Sequence, residues 1–358
     1  MKPLIRAEVS AGALRGNLAR IREAAPRSRV MAVVKANAYG HGLVPTALCL
    51  ADADAFAVAR LEEAIALRGA GVRKPIVLLE GVFDAGQLAE AARQNLEIVV
   101  HESEQLALLE RAPAGHRFVV WLKIDTGMNR LGFRAQQVAA ALTSLTSMGE
   151  HLHELRLLTH FASADEHDNP LTAAQLTRFA ELTRGLTLTR SLANSAAVFA
   201  FPASHADWVR PGLALYGVSP FSDRVGSDLG LVAAMRLVST VIAVREVPAG
   251  ETVGYGGTWR AARDSQVAIV AGGYGDGLPR MLPNGTPVLV HGRRASLAGR
   301  VSMDMIAVDV TGVGNVQVGD AALLWGPELP VEEIAAHAGT IGYELLCGVS
   351  QRVPVAVV

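Results

Sequence analysis

The chain has 358 residues, half of them hydrophobic and 19% charged, with a formal net charge of −1. That is enough chain for about two globular domains, and a balanced charge with no Lys/Arg-rich block excludes a nucleic-acid or anionic-membrane surface as the expected role. No apolar run approaches a bilayer span, the opening MKPLIRAEVS lacks the apolar core of a signal peptide, and Cys49 and Cys347 suggest no disulfide framework, so a cytoplasmic protein with free thiols is expected.

In chain order, a helix around residues 10–25, opened by Ser10, precedes the first of eight β-like runs. The runs are RVMAVVK (29–35), AFAVA (55–59), PIVLLE (75–80), LEIVV (96–100), FVVWLKI (118–124), LRLLTHF (155–161), LTRSLAN (188–194) and WVRPGLALYG (208–217). They are apolar on both faces, as strands buried in a parallel sheet are. Between them lie helical stretches. LEEAIALRGAG ends at glycines that suit a C-cap, and DAGQLAEAARQN starts at Asp84, a good N-cap. Eight alternating units over roughly 220 residues predict a (β/α)8 barrel of the α/β class, with a doubly wound open sheet as the structural alternative. The segment between the seventh and eighth runs is short for a full helix. From about residue 230, runs such as SQVAIVAGG, TPVLVHG and MIAVDV, separated by PAGE- and PNGT-like turns, predict a mainly-β domain. A short helix, VEEIAAHAG, and a last strand, RVPVAVV, close it. The expected division is a barrel over 9–228 and a β domain over 229–358, with residues 1–8 offering the latter a further strand.

In a barrel enzyme the reactive groups sit just past the C-terminal ends of the strands. Those positions carry Lys35 and Tyr39 after the first run, Lys123 in the fifth, His160 in the sixth, Asn194 and Ser195 after the seventh, and Arg210 with Gly212 in the eighth; the loop IDTGMNRLG adds Arg130. Any one of these has a purely structural explanation. Gathered on one rim, they point to chemistry. Of 33 basic residues only four are lysines, Lys2, Lys35, Lys74 and Lys123. An amine can lose its proton and form a Schiff base, whereas a guanidinium effectively cannot. Phosphate sites in barrels are often built by the loops after strands seven and eight, where Ser195 supplies a hydroxyl and glycine at 212 lets the backbone approach closely. Lysine, aldehyde and phosphate together describe pyridoxal phosphate.

The motifs VMAVVKANAYGHG, KIDTGMNRLG, LANSAA, VRPGLALYG, VGYGGTW, GGYGDG and GRVSMDM, in this order, resemble the alanine racemases over essentially the whole chain. The resemblance implies a homodimer, each site completed by the partner's β domain. It implies that Lys35 holds the cofactor and is the base on one face of the substrate, and that Tyr255 of the other subunit is the base on the opposite face. Tyr39, Ser195, Gly212, Leu213 and Tyr343 would hold the phosphate, and Arg210 would face the pyridine nitrogen. Arg130 would lie near the cofactor's phenolic oxygen and the substrate carboxylate. His160 and Asn194 would support the cofactor, Met303 and Asp304 would line the substrate from the partner, and Tyr274 would stand at the entrance. Lys123 matches a position often carbamylated in such enzymes.

The activity so implied is interconversion of L- and D-alanine by two bases acting on a pyridoxal phosphate aldimine, feeding peptidoglycan synthesis or alanine breakdown. A racemase of broader scope and a non-catalytic pyridoxal-phosphate barrel are the alternatives. A decarboxylase would want a carboxylate at the ring nitrogen, where this chain offers Arg210, whose proton is not given up. No metal is expected, since His151 and His153 lack a completing Cys or carboxylate cluster.

Overall fold

The computed structural model describes residues 3–112 and 115–358, so Met1 and Lys2 of the predicted N-terminal strand lie outside the described residues. After β1 (Arg6–Val9), eight strands follow: β2 (Arg29–Val33), β3 (Ala55–Val58), β4 (Ile76–Leu78), β5 (Glu97–Val100), β6 (Phe118–Lys123), β7 (Leu152–Leu158), β8 (Arg190–Ser191) and β9 (Trp208–Val209). They form a closed barrel in which each pairs in parallel with the next, and Arg29 of β2 meets Trp208 of β9 to shut it. All eight predicted runs carry a barrel strand. Strands β3, β4 and β5 are buried along their whole length, which is why they read as continuous apolar runs rather than alternating ones.

The helices outside the barrel start where the sequence places their caps. Ser10 Oγ accepts from the Ala13 N–H at 3.2 Å to open the helix Ala11–Ala24, and Asp84 Oδ1 accepts from the Gln87 N–H at 2.8 Å to open Ala85–Arg93. Each satisfies an N–H that the helix itself leaves free. The helix Leu61–Gly69 ends at its glycines, with Ala70 as C-cap and Gly71 in the left-handed conformation just beyond it.

The last two strands are much shorter than their apolar runs. β9 stops at Val209 because Pro211 has no N–H to donate to a ladder. The residues that follow turn into a short 3-10 segment, Leu213–Tyr216. Between β8 and β9 lie the six-residue helix Ser195–Ala200 and the 3-10 turn Pro202–Ser204, the short connection that the spacing predicts.

The remaining strands are β10 (Met235–Val247), β11 (Thr252–Val253), β12 (Trp259–Arg260), β13 (Ser265–Ala271), β14 (Pro287–Val290), β15 (Arg293–Leu297), β16 (Met305–Asp309), β17 (Ala321–Trp325) and β18 (Val355–Val357). One antiparallel sheet runs β13-β16-β15-β14-β17-β10 and closes on itself, because the long β10 also pairs with β13. β1 joins the start of β10 antiparallel, and β18 joins β1 in parallel. The chain's first strand thus belongs to the C-terminal β domain, tying the two ends of the sequence together. β11 and β12 make a separate hairpin ending in the turn Tyr255–Gly257.

Candidate active site

A cavity of about 470 Å³ opens at the C-terminal ends of the barrel strands. Its walls bring together Lys35, Tyr39, Lys123 and Arg130 with His160, Asn194, Ser195 and Arg210, and with Gly212, Leu213 and Tyr343. Residues named from the sequence, drawn from almost the full length of the chain, therefore meet in one place.

Lys35 stands two residues beyond the end of β2, at the head of an unusual turn. Ala36, Asn37, Ala38 and Tyr39 all adopt the left-handed conformation, with φ of 54°, 54°, 53° and 52°. For residues with a Cβ this costs roughly 1–2 kcal/mol each, and only asparagine among them tolerates it readily. Strain of this kind persists where surrounding structure over-determines it, and it clusters at functional sites. The turn ends at Gly40, where an added Cβ would lie 2.0 Å from the Leu346 carbonyl oxygen.

The far end of the cavity is shaped for an anion with several oxygens. Ser195 Oγ accepts the Gly212 N–H at 2.8 Å and the Ala214 N–H at 3.3 Å, which leaves its own proton to donate. A Cβ at Gly212 would lie 2.3 Å from Tyr39 Oη, so glycine is what allows the ring and the backbone to meet there. Burial pushes the Tyr39 phenol up, with Tyr343 and Cys347 adding to it, and burial also pushes Tyr343 up to about 12. Both phenols stay protonated and are donors at neutral pH. Asn194 caps the helix Ser195–Ala200 through its Oδ1, accepting the Ala197 N–H at 3.0 Å, so the hydroxyl of Ser195 is not consumed in capping.

The rest of the wall is cationic. Lys35, Lys123, Arg130 and Arg210 face a space whose lining holds one carboxylate, Glu80, itself paired to Arg60 at 3.1 Å. Arg210 is fixed by neutral acceptors: Ser191 Oγ at 2.7 Å, the Thr159 carbonyl at 2.6 Å, the Leu192 carbonyl at 3.2 Å and His160 Nδ1 at 3.3 Å. Burial pulls its guanidinium down to about 9, still protonated at neutral pH. Burial, then the charges of Arg210, Lys123, Arg130 and Lys35, hold His160 well below the ordinary imidazole range. The ring is neutral, takes the Arg210 hydrogen bond at Nδ1, and so carries its own hydrogen on Nε2. Burial lowers Lys123 to about 8, helped by Arg210, Arg130 and Lys35 and opposed by Asp125.

Four residues singled out from the sequence are not at this cavity. Tyr255 caps the β11–β12 hairpin with 66% of its surface exposed, and Met303 is 52% exposed. Asp304 pairs with Arg352 at 2.7 Å, and Tyr274 is exposed in a turn of the β domain. Within one chain, aromatic and apolar groups named for the substrate side therefore stand on the surface of the β domain.

Among the lining residues that the sequence reading passed over are Leu79, Glu80 and Cys347. Leu79 and Glu80 close the third apolar run, so the strand-end rule that found Lys123 applies to them equally. Cys347 lies on the helix Gly342–Gly348, which no periodicity announced, and nothing in the sequence directs its thiol here. Tyr216 does not line the cavity but stacks on Tyr39 with centroids 4.8 Å apart and donates its hydroxyl to the Val33 carbonyl at 2.9 Å.

Comparison with known proteins agrees over the whole length. The pattern of the alanine racemase N-terminal domain matches residues 9–220, and that of the alanine racemase C-terminal domain matches 234–357. Alanine racemases of Shewanella loihica and Shewanella sediminis are each 52% identical over 355 residues, covering 99% of both chains. Among solved structures, the biosynthetic alanine racemase of Pseudomonas aeruginosa superimposes with a TM-score of 0.94 at 47% identity, and the alanine racemase of Acinetobacter baumannii with 0.94 at 38%; each comparison covers 100% of both chains.

Proposed function

The chain belongs to the alanine racemase family, and on that premise we propose that it racemises alanine with pyridoxal phosphate held at the barrel mouth and a second copy of the chain completing each site. The observation that carries this is the pairing of a lysine amine with an anion cradle across one cationic cavity. The residues present fit the cofactor. Ser195, Gly212, Leu213, Tyr39 and Tyr343 offer hydroxyl and backbone donors suited to a phosphate, and Lys35 is the amine for its aldehyde. When bound, the cofactor supplies the electron sink that makes the Cα proton of an amino acid removable.

The protein's part is binding, orientation and proton transfer. Arg210 keeps its proton at neutral pH and would stand at the cofactor's pyridine nitrogen, where a guanidinium that gives up no proton limits how strong an electron sink the group supplies. Arg130 takes the substrate carboxylate. Lys35 removes or returns a proton at one face of Cα, and Tyr255 of the partner subunit does the same at the other, so substrate need not turn over between steps. His160, neutral and carrying its hydrogen on Nε2, is poised to donate toward that phenol while Arg210 fixes its Nδ1. Met303 and Asp304 of the partner subunit bound the substrate, and Tyr274 stands at its entrance. An amine at about 8, as on Lys123, is partly neutral at physiological pH and open to carbon dioxide; carbamylation turns a repelled cation into an anion beside Arg130.

Barrel residues 9–228, joined by Tyr343 of the β domain, thus hold the cofactor, while 229–358 also deliver Tyr255. The setting is the cytoplasm, where Cys49 and Cys347 stay as free thiols, and the product serves peptidoglycan or alanine breakdown. Among the described residues no helix is long and apolar enough to cross a membrane. The test is to mix inactive Lys35→Ala and Tyr255→Phe variants. Exchange of subunits into mixed dimers should restore about a quarter of the parental activity, since random pairing leaves one intact site in half the dimers. No recovery, with exchange verified, contradicts the shared site.

A further inference from the structure

The left-handed turn that follows Lys35 is held by two side chains that do not line the cavity, Glu63 and His41. Glu63 sits in the first turn of the helix Leu61–Gly69. Its Oε1 accepts the Ala36 N–H at 2.7 Å, and its Oε2 accepts the N–H groups of Ala59 at 3.0 Å and Arg60 at 3.1 Å. One carboxylate therefore bolts the peptide immediately after Lys35 to the chain leaving β3. Bonds from backbone N–H groups to an ionised acceptor are the strong kind.

His41 grips the other end of the turn. Its Nδ1 is 2.9 Å from the Tyr39 carbonyl and 3.1 Å from that of Ala38. Both neighbours are acceptors, so Nδ1 carries the hydrogen. The ring is fully buried and packs 4.5 Å from Tyr216, which stacks in turn on Tyr39. Its Nε2 is buried and has no partner among the described residues. An unpaired buried acceptor is unfavourable, and a phenylalanine would fill the same space without one. The imidazole is explained by its Nδ1 bond, not by its bulk.

We propose that Glu63 and His41 are positioning residues, locking the turn Ala36–Tyr39 so that Lys35 and Tyr39 face the cavity from a single rigid segment. This rests on reading Lys35 as the cofactor's lysine. The rigidity of the turn itself does not, and can be measured before any cofactor is added.

The experiment is amide hydrogen exchange on the cofactor-free protein, followed by titration with pyridoxal phosphate, for Glu63→Gln, His41→Phe and His41→Asn. Losing one such bond should speed exchange across residues 36–42 by about tenfold while other segments keep their protection. Glu63→Gln and His41→Phe should weaken pyridoxal phosphate binding by a similar factor, and lower kcat for alanine more than they raise KM. His41→Asn, which still offers an N–H to a carbonyl, should recover part of both. Folded variants with parental exchange at 36–42 and parental cofactor affinity overturn the proposal. So does a loss of protection spread evenly over the barrel, which marks a purely structural role; Glu63→Gln, nearly isosteric, decides this if His41→Phe does not fold. Local loosening in variants of a parent that binds no pyridoxal phosphate would leave the clamp standing and the cofactor reading wrong.

Discussion

Each end of the barrel draws an arginine in from solvent, half-buried Arg156 at one and buried Arg210 at the other, and the two are treated in opposite ways. Toward the strand N-termini, Arg156 of β7 bonds Glu97 at 3.1 Å and Glu154 at 2.5 Å, and lies over the rings of Trp121 at 5.1 Å and Trp208 at 6.0 Å. Glu97 also accepts the Trp121 indole N–H at 2.7 Å. Burial works against this guanidinium, but Glu154 and Glu97 outweigh it and hold its pKa above the usual value. At the mouth, Arg210 has only neutral acceptors among the described residues, and burial wins. A cation matched by carboxylates is a plug. A buried cation left without an anion, next to Lys35, Lys123 and Arg130, is a place for an anion to go.

The contrast can be broken by substitution. The largest effect belongs to Lys35→Ala, which should cut alanine racemisation by at least about a thousandfold and abolish the visible absorbance of bound pyridoxal phosphate, with the denaturation midpoint of the cofactor-free protein unchanged. A melting curve and an assay on the same sample check both halves.

The two arginines give the next largest difference. Arg156→Met strands Glu97 in the barrel and should lower stability by about 3–5 kcal/mol, read by urea denaturation, while cofactor affinity per folded molecule stays parental. Arg210→Met leaves only neutral groups behind and should change stability by about 1–2 kcal/mol at most, with the main loss in racemisation. Arg210→Glu should go further and release pyruvate from alanine, one pyruvate for each pyridoxal phosphate that takes up the amino group, because a carboxylate would let the ring nitrogen keep a proton. Equal stability losses at both ends would remove the distinction.

Lys123 sharpens the comparison through pH. Its folded pKa of about 8 lies below the unfolded 10.5, chiefly through burial and then Arg210, Arg130 and Lys35. Between those values the unfolded chain binds the proton and the folded one does not, so this residue makes the cofactor-free protein more stable as pH rises from 8 to 10.5. The gain is on the order of 3 kcal/mol, and it should vanish from the denaturation profile of Lys123→Met. A smaller effect comes from the cradle. Gly212→Ala pushes a methyl into Tyr39 and should weaken pyridoxal phosphate binding by roughly tenfold, seen in equilibrium titration.

Much of the molecule was legible in the sequence because it rests on short-range rules. Continuous apolar runs mark β3, β4 and β5, and polar residues interrupting such runs mark the rim, which is how Lys123, His160 and Arg210 stand out by pattern alone. The capping side chains of Ser10 and Asp84 act within three residues of themselves. What was not legible depends on distant partners. Nothing in Ala36–Tyr39 favours four left-handed residues; the conformation is imposed by Glu63 and by a packed helix carrying Leu346. The true lengths of β8 and β9 were hidden because apolar residues past their ends stay buried, those after Pro211 in the 3-10 segment Leu213–Tyr216. The Arg156 plug joins residues on separate strands that no local pattern links, and the exposed Tyr255 side chain has no hydrogen-bond partner among the described residues.

The central claim is that the mouth, with Lys35 as one of its bases, moves a proton at Cα of alanine. The most direct measurement is to incubate the protein and pyridoxal phosphate with L-alanine and, separately, D-alanine in deuterium oxide, and to follow enantiomer ratio and Cα deuterium together. Both reactions should converge on an equal mixture, with the newly formed enantiomer carrying deuterium from the outset and Lys35→Ala inert. A parental enzyme that leaves either enantiomer unchanged, or inverts it with the original hydrogen retained, would contradict the account.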